Sequence, residues 1–302
     1  MLLNSIEKSP ETGMIPAGCR SGVRTRPMTD LSYQSGFFPN RRGKRLFYVA
    51  DGPTHAAMAW VFCSPLFEEK VFTQRVYRNF AGTLAGLGHR VLRFDYEGDG
   101  DSEGDTAETG TAELIEDIMA ACQFVRDAGS IRSVGLFGLR FGGTLALLAA
   151  TQTGAAQALA WCPITDGKTY FRDLLRFNLT TQLAAFHRIV TSPAQLRADL
   201  QAGRTVSILG TPIGQRLAAT LQATTLPLAN PAPACRTHLV SCASSRKSAA
   251  SEGAEAIARA WGVAHRSVAL EPFWHEPKQY DPHQAQLVKA SLEMLTEENG
   301  PA

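Results

Sequence analysis

The chain is predicted to fold as an α/β protein: a doubly wound, mostly parallel sheet interrupted by a helical cap. Three observations predict it. Short apolar runs alternate with helix-period segments from residue 56 to residue 164. The alternation breaks between 167 and 232, then resumes to the end of the chain. Finally, a glycine-flanked strand-to-helix junction, GLFGLRFGGT, stands near the middle of the sequence.

The elements follow in order. QSGFFPN and KRLFYVADG read as two strands around the polar turn Asn40 to Gly43. AAMAWVFCSP is apolar throughout and ends at Pro65, as a strand buried on both faces should. After the loop LFEEK, Val76, Phe80, Leu84 and Leu87 mark a helix over 73–87, stopped by Gly88. HRVLRFDY is the next strand and EGDGDSEGD a glycine- and acid-rich loop. Leu114, Ile118, Ala121 and Val125 then give a second amphipathic helix over 111–128. IRSVGLFG, FGGTLALLAATQ and AAQALAWCPI read as strand, helix and strand. A strand followed by a helix again and again requires parallel pairing with helices on both faces.

Residues 167–232 contain helix-like segments, the short apolar piece TVSILGTPI and the proline-rich LPLANPAPA. That is too long for a crossover and fits a cap over the sheet. CRTHLVSCA and VAHRSVAL are the closing strands, with helices near 252–261 and 284–295. The expected organisation is therefore a core of 34–166 and 233–296, a cap of 167–232, and tails at 1–33 and 297–302. The first tail is polar and aperiodic and is expected to be disordered, with Met28 as a second candidate start.

Bulk properties narrow the function. A net charge of +2 argues against nucleic acid as a partner. The arginines and lysines crowded between Arg20 and Arg45 read as a solvated tail and hairpin rim. No apolar run approaches the ~20 residues of a membrane span, and the start lacks the apolar stretch of a secretory signal. Six cysteines without a CxxC pair imply reduced thiols and a cytoplasmic location. No HExxH or comparable pair predicts a metal site, no cofactor is indicated, and nothing supports an oligomer.

Parallel sheets bind ligands beyond the carboxyl ends of their strands. Here those ends lead into loops 63–70, 95–105, 138–143 and 272–277. In Gly138-Leu139-Arg140-Phe141-Gly142 the tip residue must adopt a strained backbone, and small residues must flank it. This turn, with the DYEGDGDSEG loop and the late histidine in EPFWHEP, resembles the α/β-hydrolase superfamily over residues 34–296. SPLFEEK, DYEGDGDSEGD, GLRFGG and EPFWHEP together resemble, more narrowly, the exosortase A system-associated hydrolases of bacterial exopolysaccharide loci.

The resemblance implies a site of altered composition. Arg140 stands at the nucleophile position, and His275 matches the histidine. The usual acid position reads SSRKS and has no carboxylate, whereas an alternative position carries Asp166. Oxyanion-hole donors would come from the Phe141 N–H and the loop around Leu66 and Phe67.

A cation at a helix N-terminus is disfavoured by the helix dipole unless an anion intervenes. That anion could be Glu68 or Glu69 from the facing loop, or a carboxylate or phosphate of a substrate. Glu68 or Glu69 could also serve as general base for water while Arg140 polarises a carbonyl. Cys63 and Ser64 end a strand nearby; Cys63 reads as a packing residue, and Asp95 as the anchor of its glycine loop. Tyr170, Phe171, Phe177 and Phe186 form a stripe that reads as cap core, or as the apolar wall of a pocket above Arg140.

Two functions are thus expected. One is a hydrolase or acyl-transfer relative acting on an ester, thioester or amide of a small acyl- or carboxylate-bearing substrate without serine. The other is a catalytically dead homologue that holds an anionic ligand at Arg140.

Overall fold

A computed structural model describes residues 33–128, 130–229, 232–243, 249–275 and 284–297. Apart from Tyr33 and Glu297, the tails expected at the two ends lie outside the described residues, as does Glu276 beside His275.

Eight strands form one sheet: β1 (Gln34–Pro39), β2 (Arg45–Asp51), β3 (Met58–Cys63), β4 (Arg90–Phe94), β5 (Ser133–Leu139), β6 (Gln157–Trp161), β9 (Arg236–Ala243) and β10 (Ala264–Ala269). Their order is β1-β2-β4-β3-β5-β6-β9-β10. β1–β2 and β2–β4 pair antiparallel, and every later pairing is parallel. The sheet is therefore mostly parallel, as the alternation of strand and helix requires.

Both faces are covered because the central strands present apolar side chains to each side. Trp60, Phe62, Phe137 and Leu139 pack on one side with α1 (Glu68–Gly86) and α8 (Gln284–Thr296). Ala59, Val61, Val134 and Leu136 pack on the other with α2 (Thr111–Asp127), α3 (Phe141–Thr153) and α7 (Ala249–Trp261). The two-residue period of a strand makes this division automatic. Trp161 Nε1 donates to Ser291 Oγ at 2.8 Å, so the α8 face is tied to the sheet by a buried hydrogen bond.

Between β6 and β9 the chain runs through α4 (Gly167–Phe186), α5 (Pro193–Gln201), the hairpin β7 (Val206–Ile208) and β8 (Thr211–Ile213), and α6 (Gln215–Ala223). TVSILGTPI is thus a separate two-stranded hairpin. This inserted layer is joined to the core through Thr220 Oγ1, which accepts from the Thr111 N–H at 3.0 Å.

One boundary differs in a way that matters for the site. The helix expected from residue 73 begins at Glu68, so Glu68 and Glu69 occupy its first turn. Acidic side chains favour that position because they meet the positive end of the helix dipole. The apolar spacing that located the helix starts only at Val76, which hid its first two turns.

Candidate functional site

The junction of β5 and α3 is a sharp elbow. Arg140 at its tip has φ 55° and ψ −127°, and its N–H donates to Trp161 O at 2.9 Å. The glycines are there for space. A Cβ on Gly142 would stand 2.3 Å from Cys63 O, and one on Gly138 would stand 2.3 Å from Gly142 O. Tyr77 adds a brace that has no signature in the sequence. Its hydroxyl donates to Cys63 O at 2.9 Å and accepts from Leu139 N–H at 2.8 Å, joining the ends of β3 and β5.

Arg140 is 7% exposed, and the anion that meets it is Glu69. Arg140 Nε donates to Glu69 Oε1 at 3.1 Å, and the Tyr170 hydroxyl donates to Glu69 Oε2 at 2.9 Å. The guanidinium carbon lies 4.8 Å from the Trp274 ring centroid and 5.7 Å from that of Tyr170. Tyr170 in turn stacks on Phe141 at 5.7 Å. The core thus supplies both charges, α4 supplies the second donor, and Trp274 covers the cation.

Burial opposes the charge on Arg140, but Glu69 outweighs it and raises the guanidinium pKa above its ordinary value. Burial is also the largest influence on Glu69 and pushes its carboxyl up, against the pull of Arg140 and two hydrogen bonds.

The other predicted site residues are placed as follows. Glu68 lies one residue from the pair, half-buried, and burial raises its carboxyl pKa. Leu66 and Phe67 are buried ahead of α1, and Phe67 has φ 60°. Phe141 is fully buried as the first residue of α3. His275 lines the same small cavity as Arg140, with the Phe177 ring centroid 5.5 Å away. Trp274 Nε1 donates to His275 Nε2 at 3.1 Å, so Nε2 is the accepting nitrogen. Loss of hydration and then the Arg140 charge push the imidazole pKa down to about 4, so it is neutral at pH 7. Asp166 is exposed and caps α4, accepting from Lys168 N–H at 2.8 Å and Thr169 N–H at 3.2 Å. Among the described residues, no carboxylate hydrogen-bonds to His275.

The neighbours of the elbow are structural. Burial pushes the Cys63 thiol well above its ordinary range, away from the thiolate form. Asp95 accepts from Asp101 N–H at 3.1 Å and pairs with Lys70 Nζ at 2.6 Å, which holds the glycine loop in place. Lys70 also bonds Asp99 at 2.7 Å. Among the described residues, no cluster of three His, Cys, Asp or Glu could hold a metal ion, and no helix is long and apolar enough to cross a membrane.

The cavity over Arg140 is about 30 Å³, room for roughly one or two water molecules. Besides the pair, Glu68, Asp173, Phe177 and His275 line it. With Arg140 already matched by Glu69, the remaining carboxylates make this pocket unfavourable for a further anion.

Comparisons with known proteins agree with the fold. A family model described as serine aminopeptidase, S33, matches residues 71–204, somewhat less than half of the chain. A hypothetical protein from Pseudomonas aeruginosa is similar in structure, with a TM-score of 0.58, 14% identity, and 93% of this chain and 100% of that one covered. A Butyrivibrio proteoclasticus protein solved with ferulic acid bound gives 0.58 and 12%, covering 87% and 100%. The proline iminopeptidase-related protein of Thermus thermophilus gives 0.58 and 16%, covering 87% and 97%. No curated protein matches by sequence. The chain has the α/β-hydrolase fold.

Proposed function

We propose that this chain is a hydrolase homologue that has given up covalent catalysis and binds a small molecule on the α/β-hydrolase scaffold. The observation that carries this reading is the Arg140–Glu69–Tyr170 arrangement, which fills the nucleophile seat with an internal ion pair. Acyl transfer on such an elbow needs a nucleophile, a base to take its proton and an acid to orient that base. Arg140 cannot attack. His275 Nε2 is occupied by Trp274, and the Asp166 carboxylate is engaged at the start of α4. Both oxygens of Glu69 already accept hydrogen bonds.

The resemblance to exosortase A system-associated hydrolases is the support, within the same proposal, for a binding role in bacterial exopolysaccharide handling. The second expectation, an anionic ligand held by Arg140, has less support, because the guanidinium already has its counter-ion.

A serine-free hydrolase remains the competing reading on one observation. Among the described site residues, Glu68 keeps a carboxylate without a hydrogen bond or ion pair, and its raised pKa suits a general base. Turnover separates the two. Purified protein incubated with para-nitrophenyl acetate, butyrate and octanoate is expected to release phenolate no faster than buffer. A fluorophosphonate probe is expected to leave it unlabelled. Turnover that disappears in Glu68→Gln, or labelling near the elbow, would overturn the binding-protein reading.

A further inference from the structure

Two cysteines meet beside the elbow, outside the arrangement of Arg140, Glu69 and Tyr170. Cys162 directly follows β6, and Cys242 is the last residue but one of β9. The two strands pair in parallel with Trp161 opposite Val240, so both cysteines stand at the end of the sheet that carries Arg140. Both are buried in the apolar cluster on the α1 and α8 side. Cys242 N–H donates to Cys162 Sγ at 3.2 Å. A sulfur that close to a residue's amide nitrogen lies within one side-chain length of that residue's own sulfur. The Cys242 thiol accordingly hydrogen-bonds to Cys162 as well.

Cys162 is held there against its backbone preference. Its φ is 45°, and its N–H donates to Val240 O at 2.7 Å. Strain of this kind persists where the surroundings fix a particular side chain in place. The elbow lies against the same stretch, because Arg140 N–H donates to Trp161 O, one residue before Cys162.

The two sulfurs are therefore unequal. The hydrogen bond from the Cys242 thiol, and after it the Arg140 charge, hold Cys162 below the ordinary thiol range against burial. The same bond and burial push Cys242 well above that range. Burial also pushes up Cys63, Cys122 and Cys235, so among the described cysteines Cys162 is the one inclined to the thiolate form.

Burial also decides what such a sulfur meets. Cys162 is 2% exposed and Cys242 4%, which shuts out a bulky disulfide. The cavity of about 30 Å³ that Arg140 lines has room for roughly one or two water molecules, and hydrogen peroxide is scarcely larger than one.

We propose that Cys162 and Cys242 are a peroxide-reactive pair, in which Cys162 attacks the oxidant and Cys242 closes a disulfide between β6 and β9. The Cys162 thiolate attacks one oxygen of hydrogen peroxide, the O–O bond breaks and hydroxide leaves, which makes Cys162 a sulfenic acid. That hydroxide takes the proton of the Cys242 thiol and becomes water. The Cys242 sulfur then attacks Cys162 Sγ. The S–S bond forms, the S–O bond breaks, and a second hydroxide leaves and takes its proton from solvent. The two sulfurs together lose two electrons, and the peroxide is reduced to two waters. The disulfide removes a sulfur anion from beside Arg140 and leaves Glu69 as its counter-ion. The reaction needs no acyl substrate and is independent of ligand binding at the elbow.

Peptide mass mapping of the folded full chain tests it, after treatment with hydrogen peroxide, denaturation and capping of the remaining thiols with iodoacetamide. The Cys162–Cys242 disulfide is the expected product. It should form about ten-fold or more faster than any oxidation of Cys235, the most accessible of the described cysteines. Glutathione disulfide at the same concentration should leave the pair reduced. In Cys242→Ser, dimedone should trap a sulfenic acid at Cys162; in Cys162→Ser, it should trap none at Cys242. The pair staying reduced while Cys235 oxidises would overturn the assignment, as would a disulfide from either cysteine to another partner. Equal oxidation by glutathione disulfide, or trapping at Cys242 instead of Cys162, would overturn it too.

Discussion

Arg140 and Glu69 stand 71 positions apart in the chain and meet at 3.1 Å, both buried, across the mouth of the elbow. The pair turns a position that would present a nucleophile into a closed electrostatic contact. Its third member, Tyr170, comes from the insertion, so the contact also joins the insertion to the core.

Tyr170→Phe should cost about 1–3 kcal/mol, the range for a hydrogen bond to a charged group. The ring would keep its stack on Phe141, so the loss reports the hydroxyl alone. Urea unfolding at neutral pH measures it, and an unchanged midpoint would remove Tyr170 from the arrangement.

The elbow glycines should differ sharply in tolerance. Gly142→Ala places a Cβ 2.3 Å from Cys63 O and 2.5 Å from Ser64 O, both backbone atoms that cannot yield cheaply. A loss of roughly 3 kcal/mol or more, or failure to fold, is expected. Gly143→Ala meets Gly138 O at 3.0 Å and the Ala160 Cβ at 3.3 Å, and should cost about 1–2 kcal/mol. Comparing soluble yield and melting temperature of the two variants checks the ranking.

These glycines also show what could be read from the sequence. Their spacing, the strand-helix alternation and the break after residue 166 revealed the sheet, the elbow and an insertion, because each rests on local periodicity or local backbone geometry. Glu68 and Glu69 were legible as candidate partners of Arg140, since their loop must face the elbow in a parallel sheet. The choice between them was not, because it depends on where α1 starts. In the sequence Tyr170 is one ring in an apolar stripe. Its hydroxyl acquires a role only through a carboxylate 101 residues away. Trp274 has no signature in the sequence for a similar reason: its position over Arg140 follows from how the chain leaves β10, and no residue pattern encodes that. The approach of Cys162 to Cys242, 80 positions apart, is likewise a product of strand pairing.

Acid sensitivity should be governed by shifted groups of opposite sign. His238 is 2% exposed, neither ring nitrogen has a partner, and loss of hydration pushes its pKa down to about 4. The unfolded chain binds that proton near pH 6.5, so His238 contributes stability above 6.5 that is lost as pH falls towards 4. Asp117 behaves oppositely. Burial raises its pKa to about 6, so the folded chain binds the proton first and gains stability as pH falls through 6. His275, whose pKa is likewise pushed down to about 4, acts in the same direction as His238, so the wild-type urea midpoint should fall from pH 7 to pH 5. His238→Leu removes one of the two losses and should keep about 1–2 kcal/mol more of its stability than the wild type over the same interval. A variant that loses as much as the wild type would show that His238 is not one of the groups responsible.

A double-mutant cycle on Arg140 and Glu69 addresses the nature of the elbow itself. Arg140→Met or Glu69→Gln alone leaves one buried charge without its partner and should cost about 3–5 kcal/mol. The double variant should recover much of that loss, giving a coupling energy of about 2 kcal/mol or more by urea unfolding at pH 7. Additive losses, with coupling under about 0.5 kcal/mol, would mean that the pair does not hold the elbow closed and that Arg140 is free for a ligand.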